Sequence, residues 1–249
     1  MGKIKVNLSN DSRFSPIAFK YLEEVFNNEN QSATNGSMCQ RLEAEVCRQI
    51  GTNYGIAFNS GTSTLHACLL ALGIGKGDEV IIPSIGPIMD TFAVIQTGAT
   101  PVFADIIEGE YTIDYHSIHN LITPNTKAII VVHIYGYGCR MDDIMDLAND
   151  FEIPVIEDCA QAYQTGIIYR GELKLAGSIG MMASFSFESS KHISCGEGGM
   201  VLCNDEALAK KIRQIGGLGF GLLEANDGLV RRDENIFKNP DFKRHSMVG

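Results

Sequence analysis

Short apolar runs and stretches of helical period alternate along this chain. Seven runs predict strands: Tyr54–Phe58, Glu79–Ile82, Pro101–Ala104, Ala128–His133, Ile153–Glu157, Ala183–Phe187 and Met200–Cys203. Several are apolar almost throughout, the pattern of strands covered on both faces of a mainly parallel sheet. Between them, apolar residues recur three and four apart. Ser15-Pro16 offers an N-cap with proline at the first helical position, and Ile17, Tyr21, Val25 and Phe26 then keep one face apolar. Leu42, Val46 and Ile50 form a second stripe, closed by Gly51 as a C-terminal cap. Further stripes are Leu65, Cys68, Leu69 and Leu72 before Gly73; Ile144, Leu147, Ala148 and Phe151; and Leu208, Ile212 and Ile215 before Gly216. Strand then helix, repeated, predicts an α/β fold with a parallel sheet.

Residues 217–249 break the rhythm, with turn residues and charges and no sustained period. A loop that long is unusual in a compact domain. The expectation is therefore a large domain over 1–216, followed by an irregular segment that leads toward something larger. No internal repeat or low-complexity tract is evident.

Composition narrows the function classes. With 249 residues, 45% of them hydrophobic, the chain is long enough for roughly one to two domains with a real core. Twenty Lys+Arg against 30 Asp+Glu give a net charge of −10, which repels phosphate backbones and argues against nucleic acid as a partner. The seven cysteines are scattered with no CxxC pair, as in reduced cytosolic thiols rather than a zinc site or a disulfide framework. The first residues carry no apolar signal region, and no apolar stretch reaches the ~18 residues of a membrane span. A cytoplasmic protein with no membrane partner is expected.

Sites in open α/β sheets lie beyond the carboxyl ends of the strands. After Tyr54–Phe58 come Asn59-Ser60-Gly61-Thr62-Ser63-Thr64 at a helix start, where glycine, hydroxyls and free N–H groups can cradle an anion or simply cap the helix. Asp158 follows Ile153–Glu157; a carboxylate there needs a protonated ring nitrogen, a metal or an arginine, unless it caps a helix. Lys191 follows Ala183–Phe187 and precedes the glycine-rich Gly196-Glu197-Gly198-Gly199, so it can be a Schiff-base lysine or a solvated one. Together an anion cradle, a carboxylate and a lysine at three strand ends are what pyridoxal 5'-phosphate (PLP) requires.

The strings NSGTSTLHACLLALGIGKGDEVIIPS, GATPVFADI, TPNTKAIIVVHIYG, IPVIEDCAQAY and SFSFESSKHISCGEGGMVLCND, in this order, resemble the DegT/DnrJ/EryC1/StrS family of PLP-dependent sugar aminotransferases. The resemblance spans about residues 10 to 216. It implies a three-layer fold-type-I large domain with a mostly parallel seven-stranded sheet, and a homodimer with a shared active site. Lys191 stands where the family attaches PLP and moves a proton, Asp158 where a carboxylate pairs with the pyridine nitrogen, and Gln161 where a side chain reaches the phenolic oxygen. Gly61, Thr62 and Ser63 occupy the phosphate-cradle positions and Ser186 the matching hydroxyl; Glu197 belongs to the GEGG signature. The implied reaction moves an amino group from an amino acid, glutamate by resemblance, to a keto-sugar linked to a nucleotide. Relatives that carry His in place of the lysine are sugar dehydratases, and Lys191 argues for transamination. Dehydration and a non-catalytic PLP-binding role stay open as alternatives.

Two departures stand out. The family usually reads Pro-x-aromatic-Thr-aromatic after its second strand, whereas this chain reads Pro83-Ser84-Ile85-Gly86-Pro87, so the ring-stacking aromatic is expected to be missing, with Pro87 in its place. Family members also continue well past the length of this chain, so a fragment lacking the C-terminal small domain is expected. Other features read as structural. Gly73-Ile74-Gly75-Lys76-Gly77 lies between helix and strand, the wrong order for a dinucleotide fingerprint, and reads as a turn. His116 and His119 lack a third ligand and read as a solvated helix face, so no metal site is expected. His192 is read as a bystander, Cys159 and Cys195 as packing thiols, and the Lys210-Lys211 and Arg231-Arg232 pairs as solvated charges.

Overall fold

A computed structural model describes residues 17–27, 36–217, 223–226 and 229–232. All seven expected runs are strands of one sheet: β1 (Tyr54–Phe58), β2 (Glu79–Pro83), β3 (Thr100–Ala104), β4 (Thr126–Val132), β5 (Val155–Asp158), β8 (Met182–Ser186) and β9 (Gly199–Cys203). Their order is β1-β9-β8-β5-β4-β2-β3. The pairs β2–β3, β2–β4, β4–β5 and β5–β8 are parallel, and β9 runs antiparallel to both its neighbours.

Strands buried on both faces explain the unbroken apolar runs. In β4, Ile129 and Val131 pack on one side with α2 (Ser37–Ile50), α5 (Tyr115–Leu121) and α6 (Met141–Asp150). Ala128 and Ile130 pack on the other side with α3 (Gly61–Ala71), α4 (Ile88–Thr97) and α7 (Glu206–Gly216). The result is the three-layer arrangement with a mostly parallel sheet.

The predicted helix stripes meet the core in part. Val46 and Ile50 of α2, Leu65, Cys68 and Leu69 of α3, Ile144 and Ala148 of α6, and Ile212 of α7 are buried. Gly51 closes α2 in the left-handed conformation, with φ 87°. Leu42 and Phe151, at the edges of their stripes, are exposed. The face of α1 (Ile17–Asn27) departs from expectation: none of its residues is buried among the described residues. Ser15-Pro16 lies outside the described residues.

Two hairpins were not foreseen. β6 (Gly166–Tyr169) pairs antiparallel with β7 (Glu172–Leu175). Both residues of its turn, Arg170 and Gly171, have positive φ, which matches the right-handed twist of the strands. Within the stretch read as irregular, β10 (Leu223–Asn226) pairs with β11 (Leu229–Arg232), and the Asp227-Gly228 between them is a residue pair that two-residue hairpin loops favour. The other residues of 218–249 lie outside those described.

Candidate active site

At the carboxyl ends of β1, β5 and β8 the chain forms a cavity of about 250 Å³. Gly61, Thr62, Asp158, Gln161, Ser186 and Lys191 all line it, with Pro87, Met89, Glu188 and Glu197. An open groove of about 780 Å³ adjoins it, sharing Ala160, Gln161 and Lys191 and adding Tyr135 and His192. A groove of similar size lies at the opposite end of the sheet, near Ile74, Asp78, Thr126 and Pro154, away from these side chains.

The start of α3 forms one wall. Ser60 is its N-cap, and its Oγ accepts the N–H of Ser63 at 3.1 Å, while its carbonyl accepts the N–H of Thr64. The first N–H groups of a helix have no partner within it, so those of Gly61 and Thr62 remain to serve an anion, favoured also by the helix dipole. Thr64 Oγ1 is 2.6 Å from Ser184 Oγ and ties this helix start to β8. The fit is close: a Cβ on Gly61 would stand 2.9 Å from Ser186 Cβ, and one on Gly199 would stand 2.5 Å from the Ser60 carbonyl oxygen. Ser63, expected in the cradle, is not among the residues lining the cavity. Its hydroxyl donates to Asn59 Oδ1 at 2.6 Å and approaches the Ser60 carbonyl at 2.9 Å, so it serves the cap.

Asp158 ends β5 and is buried. Its carbonyl accepts the N–H of His133, and its Oδ1 accepts the N–H of Ala160 at 2.8 Å. Burial pushes its carboxyl above the usual range, while the Ala160 N–H and the charge of Lys191 work the other way. Such a group gains from a cationic partner in the cavity. Gln161 is oriented by a second backbone contact. Its Oε1 accepts the N–H of Tyr135 at 2.8 Å, which leaves the amide NH2 as the group available to the cavity. Tyr135 meets it in a left-handed conformation, φ 54°, a strained geometry for a non-glycine residue.

Lys191 sits on the turn after β8, its N–H donating to the Glu188 carbonyl. The Glu188 carboxylate accepts the Ser189 hydroxyl and the Ser190 hydroxyl and N–H; these bonds hold it at about 2. The turn is closed by the Phe187 N–H donating to Gly198 and the Cys195 N–H donating to Phe187. Of the other candidates, Cys159 is buried and its thiol is pushed up by burial, whereas Cys195 and His192 are exposed. His116 and His119 are exposed on α5, and Lys210 pairs with Glu206. The side chains of Arg231 and Arg232 lie outside those described.

Sequence reasoning passed over a buried cluster behind the cavity. His133, Glu157 and Cys159 bring possible metal ligands together, but the ligand atoms of His133 and Glu157 are already committed. His133 Nδ1 accepts the Cys139 N–H at 3.1 Å and Nε2 meets Glu157 Oε2 at 2.9 Å. Glu157 also accepts the N–H groups of Gly177, Ile179 and Gly180. The cluster clamps the 177–180 turn to the sheet. Asp90, in the first turn of α4, was also passed over: it is buried, and neither carboxylate oxygen has a hydrogen-bond donor among the described residues. Ile88–Thr97 is not among the apolar stripes read from the sequence, so nothing there placed Asp90 at a helix start or in the core.

A glycine-walled helix start, a buried carboxylate and a lysine around one small cavity fit pyridoxal phosphate. No aromatic ring is among the described residues lining it, and Pro87 and Met89 are.

Fold and site thus define an α/β protein of the fold-type-I, PLP-dependent kind. The chain belongs to the DegT/DnrJ/EryC1/StrS aminotransferase family, whose pattern matches residues 17–232. It is 47% identical over 180 residues to GDP-perosamine synthase of Caulobacter vibrioides, covering 72% of this chain and 47% of that protein. Among solved structures it resembles the aminotransferase from Psychrobacter cryohalolentis, with TM-score 0.74 and 37% identity over 83% of this chain and 51% of that one. It also resembles NtdA from Bacillus subtilis, solved with bound cofactor PMP, with TM-score 0.69 and 34% identity over 75% of this chain and 41% of that one. The chain spans about half the length of the curated relatives it matches.

Proposed function

We propose that this chain carries the cofactor-binding unit, residues 1–216, of a cytoplasmic, homodimeric aminotransferase that moves an amino group from an amino acid, glutamate by family resemblance, to a keto-sugar linked to a nucleotide. The observation that carries the reading is the convergence of Lys191, Asp158 and the first N–H groups of α3 on one cavity. The name of the Caulobacter relative supports a nucleotide-linked sugar as the acceptor.

Bound here, PLP supplies an aldehyde that condenses with amines and a ring that takes up the electron pair of a breaking Cα–H bond. The chain's own groups then have separable tasks. The N–H groups of Gly61 and Thr62, with the Ser186 hydroxyl, hold the phosphate. The Asp158 carboxylate keeps a proton on the ring nitrogen, where positive charge makes the ring a better electron acceptor. Gln161 donates its amide NH2 to the phenolic oxygen. Lys191 Nζ would hold the cofactor covalently and, as a free amine, would be the base that takes up and returns the proton moved in the reaction.

Incubation with glutamate, PLP and a nucleotide-linked keto-sugar tests the reading, with products analysed by mass spectrometry. An amino-sugar that still carries its nucleotide supports it. A deoxy-sugar formed without nitrogen transfer contradicts it in favour of dehydration.

A further inference from the structure

Asp90 is an acid with nothing to ionise for. It is 1% exposed, and both of its oxygens lack a donor among the described residues. Oδ2 lies 3.6 Å from the place a Cβ on Gly86 would take, a space bounded also by Pro83 and Val132, whose side chains carry no hydrogen-bond donor. Val132, which bounds that same space, is paired in register with Asp158 of β5, and the Asp158 carboxyl acts on that of Asp90 both as a charge and as a hydrogen-bond partner. Two carboxylates in contact away from water repel each other, so such a pair retains a proton between them. A first-turn carboxylate gains something from the helix dipole, but a like charge in direct contact opposes it more strongly.

The environment decides which partner holds the proton. Asp158 accepts the Ala160 N–H, and the charges of Lys191, from the turn after β8, and of His133, from the end of β4, favour its ionised form. His133 is itself engaged by Glu157. On Asp90, burial and Asp158 act in one direction, and both raise its carboxyl well above the usual range.

We propose that Asp90 stays protonated at neutral pH and donates its proton as a hydrogen bond to Asp158, so that the two residues form one acid–carboxylate pair with a single negative charge. Asp90 is then a positioning residue. It fixes the Asp158 carboxylate and lowers its basicity, so that Asp158 pairs with a protonated ring nitrogen without taking its proton. This last consequence rests on the cofactor reading above; the shared proton does not.

Infrared spectroscopy of the cofactor-free chain labelled with carboxyl-13C aspartate tests the pair. The expected result is a protonated-carboxyl band at neutral pH that shifts with the label and is absent from Asp90→Asn. Asp90→Ser gives the same comparison in a smaller side chain. A wild-type spectrum without that band, or a band that survives both substitutions, overturns the proposal. A second readout is the pH dependence of unfolding. A carboxyl protonated in the folded protein but ionised in the unfolded chain makes stability fall as pH rises between its two pKa values. Asp90→Asn is therefore expected to gain on the wild type across that window with a slope of about one proton per chain, and a flat or opposite difference contradicts the proposal. If the band behaves as expected but PLP fails to bind, the shared proton stands and the reading of Asp158 as ring partner falls.

Discussion

Gly61, the first residue of α3, and Ser186, the last residue of β8, touch so closely that a Cβ on the glycine would stand 2.9 Å from that of the serine. Contacts that short are not tolerated, so a side chain at 61 must push the helix start from the strand end. The same movement strains the Thr64–Ser184 hydrogen bond. Gly61→Ala is expected to cost about 1–3 kcal/mol of stability and to weaken PLP binding by about tenfold or more. Urea unfolding and a PLP absorbance titration measure the two effects.

Asp158→Asn keeps an oxygen for the Ala160 N–H but removes the charge proposed to face the ring nitrogen. The fold is expected to survive. The half-reaction with glutamate should slow by about 10²–10³-fold, the usual cost of removing one electrostatic stabiliser. Rapid mixing of the PLP-loaded chain with glutamate, followed by absorbance, reads the rate directly.

Glu157 is fully buried and accepts bonds from His133 and from three backbone N–H groups. Burial works against its charge, but these bonds outweigh burial and hold its carboxyl below the usual 4.5. An acid with a lowered folded value stabilises the protein above its unfolded value, and that stability is lost as pH falls through the folded one. Stability against chemical unfolding should therefore fall below about pH 4.5, more steeply in the wild type than in Glu157→Gln. At neutral pH the substitution is expected to cost about 3–5 kcal/mol, because it leaves a buried network short of its charge.

Glu43 of α2 and Arg213 of α7 form a second buried pair, with the Glu43 carboxylate also accepting the Ala57 N–H of β1 at 2.8 Å. It joins helices on opposite faces of the sheet at its β1 edge. Removing either charge alone should destabilise by about 3–5 kcal/mol. The double change Glu43→Gln with Arg213→Met should cost less than the sum, which a double-mutant cycle in urea measures.

The sheet was readable because its strands are buried on both faces, so each appears as an apolar run that few other elements mimic. The β6–β7 hairpin was not readable in that way. Ile168 and Leu173 face solvent, and its strands alternate with Gly, Glu and Lys, so neither burial nor period marked it. Strand ends pointed to Asp158 and Lys191 because chemistry in such sheets collects there. The hydroxyl cluster at 60–64 could not say which serine caps α3. That depends on the backbone angle at Ser60, and the outcome turned Ser63 away. Asp90 was hidden for a related reason: its surroundings come from β2, β4 and β5, which sequence distance does not bring together.

Lys191 is proposed to hold PLP in the cavity formed with Asp158 and Gly61. The most direct measurement is to incubate the purified chain with PLP, reduce with borohydride and map the modified peptide by mass spectrometry. A phosphopyridoxyl group is expected on Lys191, absent from Lys191→Ala and reduced in Gly61→Ala. A folded wild-type chain with no adduct at Lys191, or with the label spread over surface lysines, would contradict it.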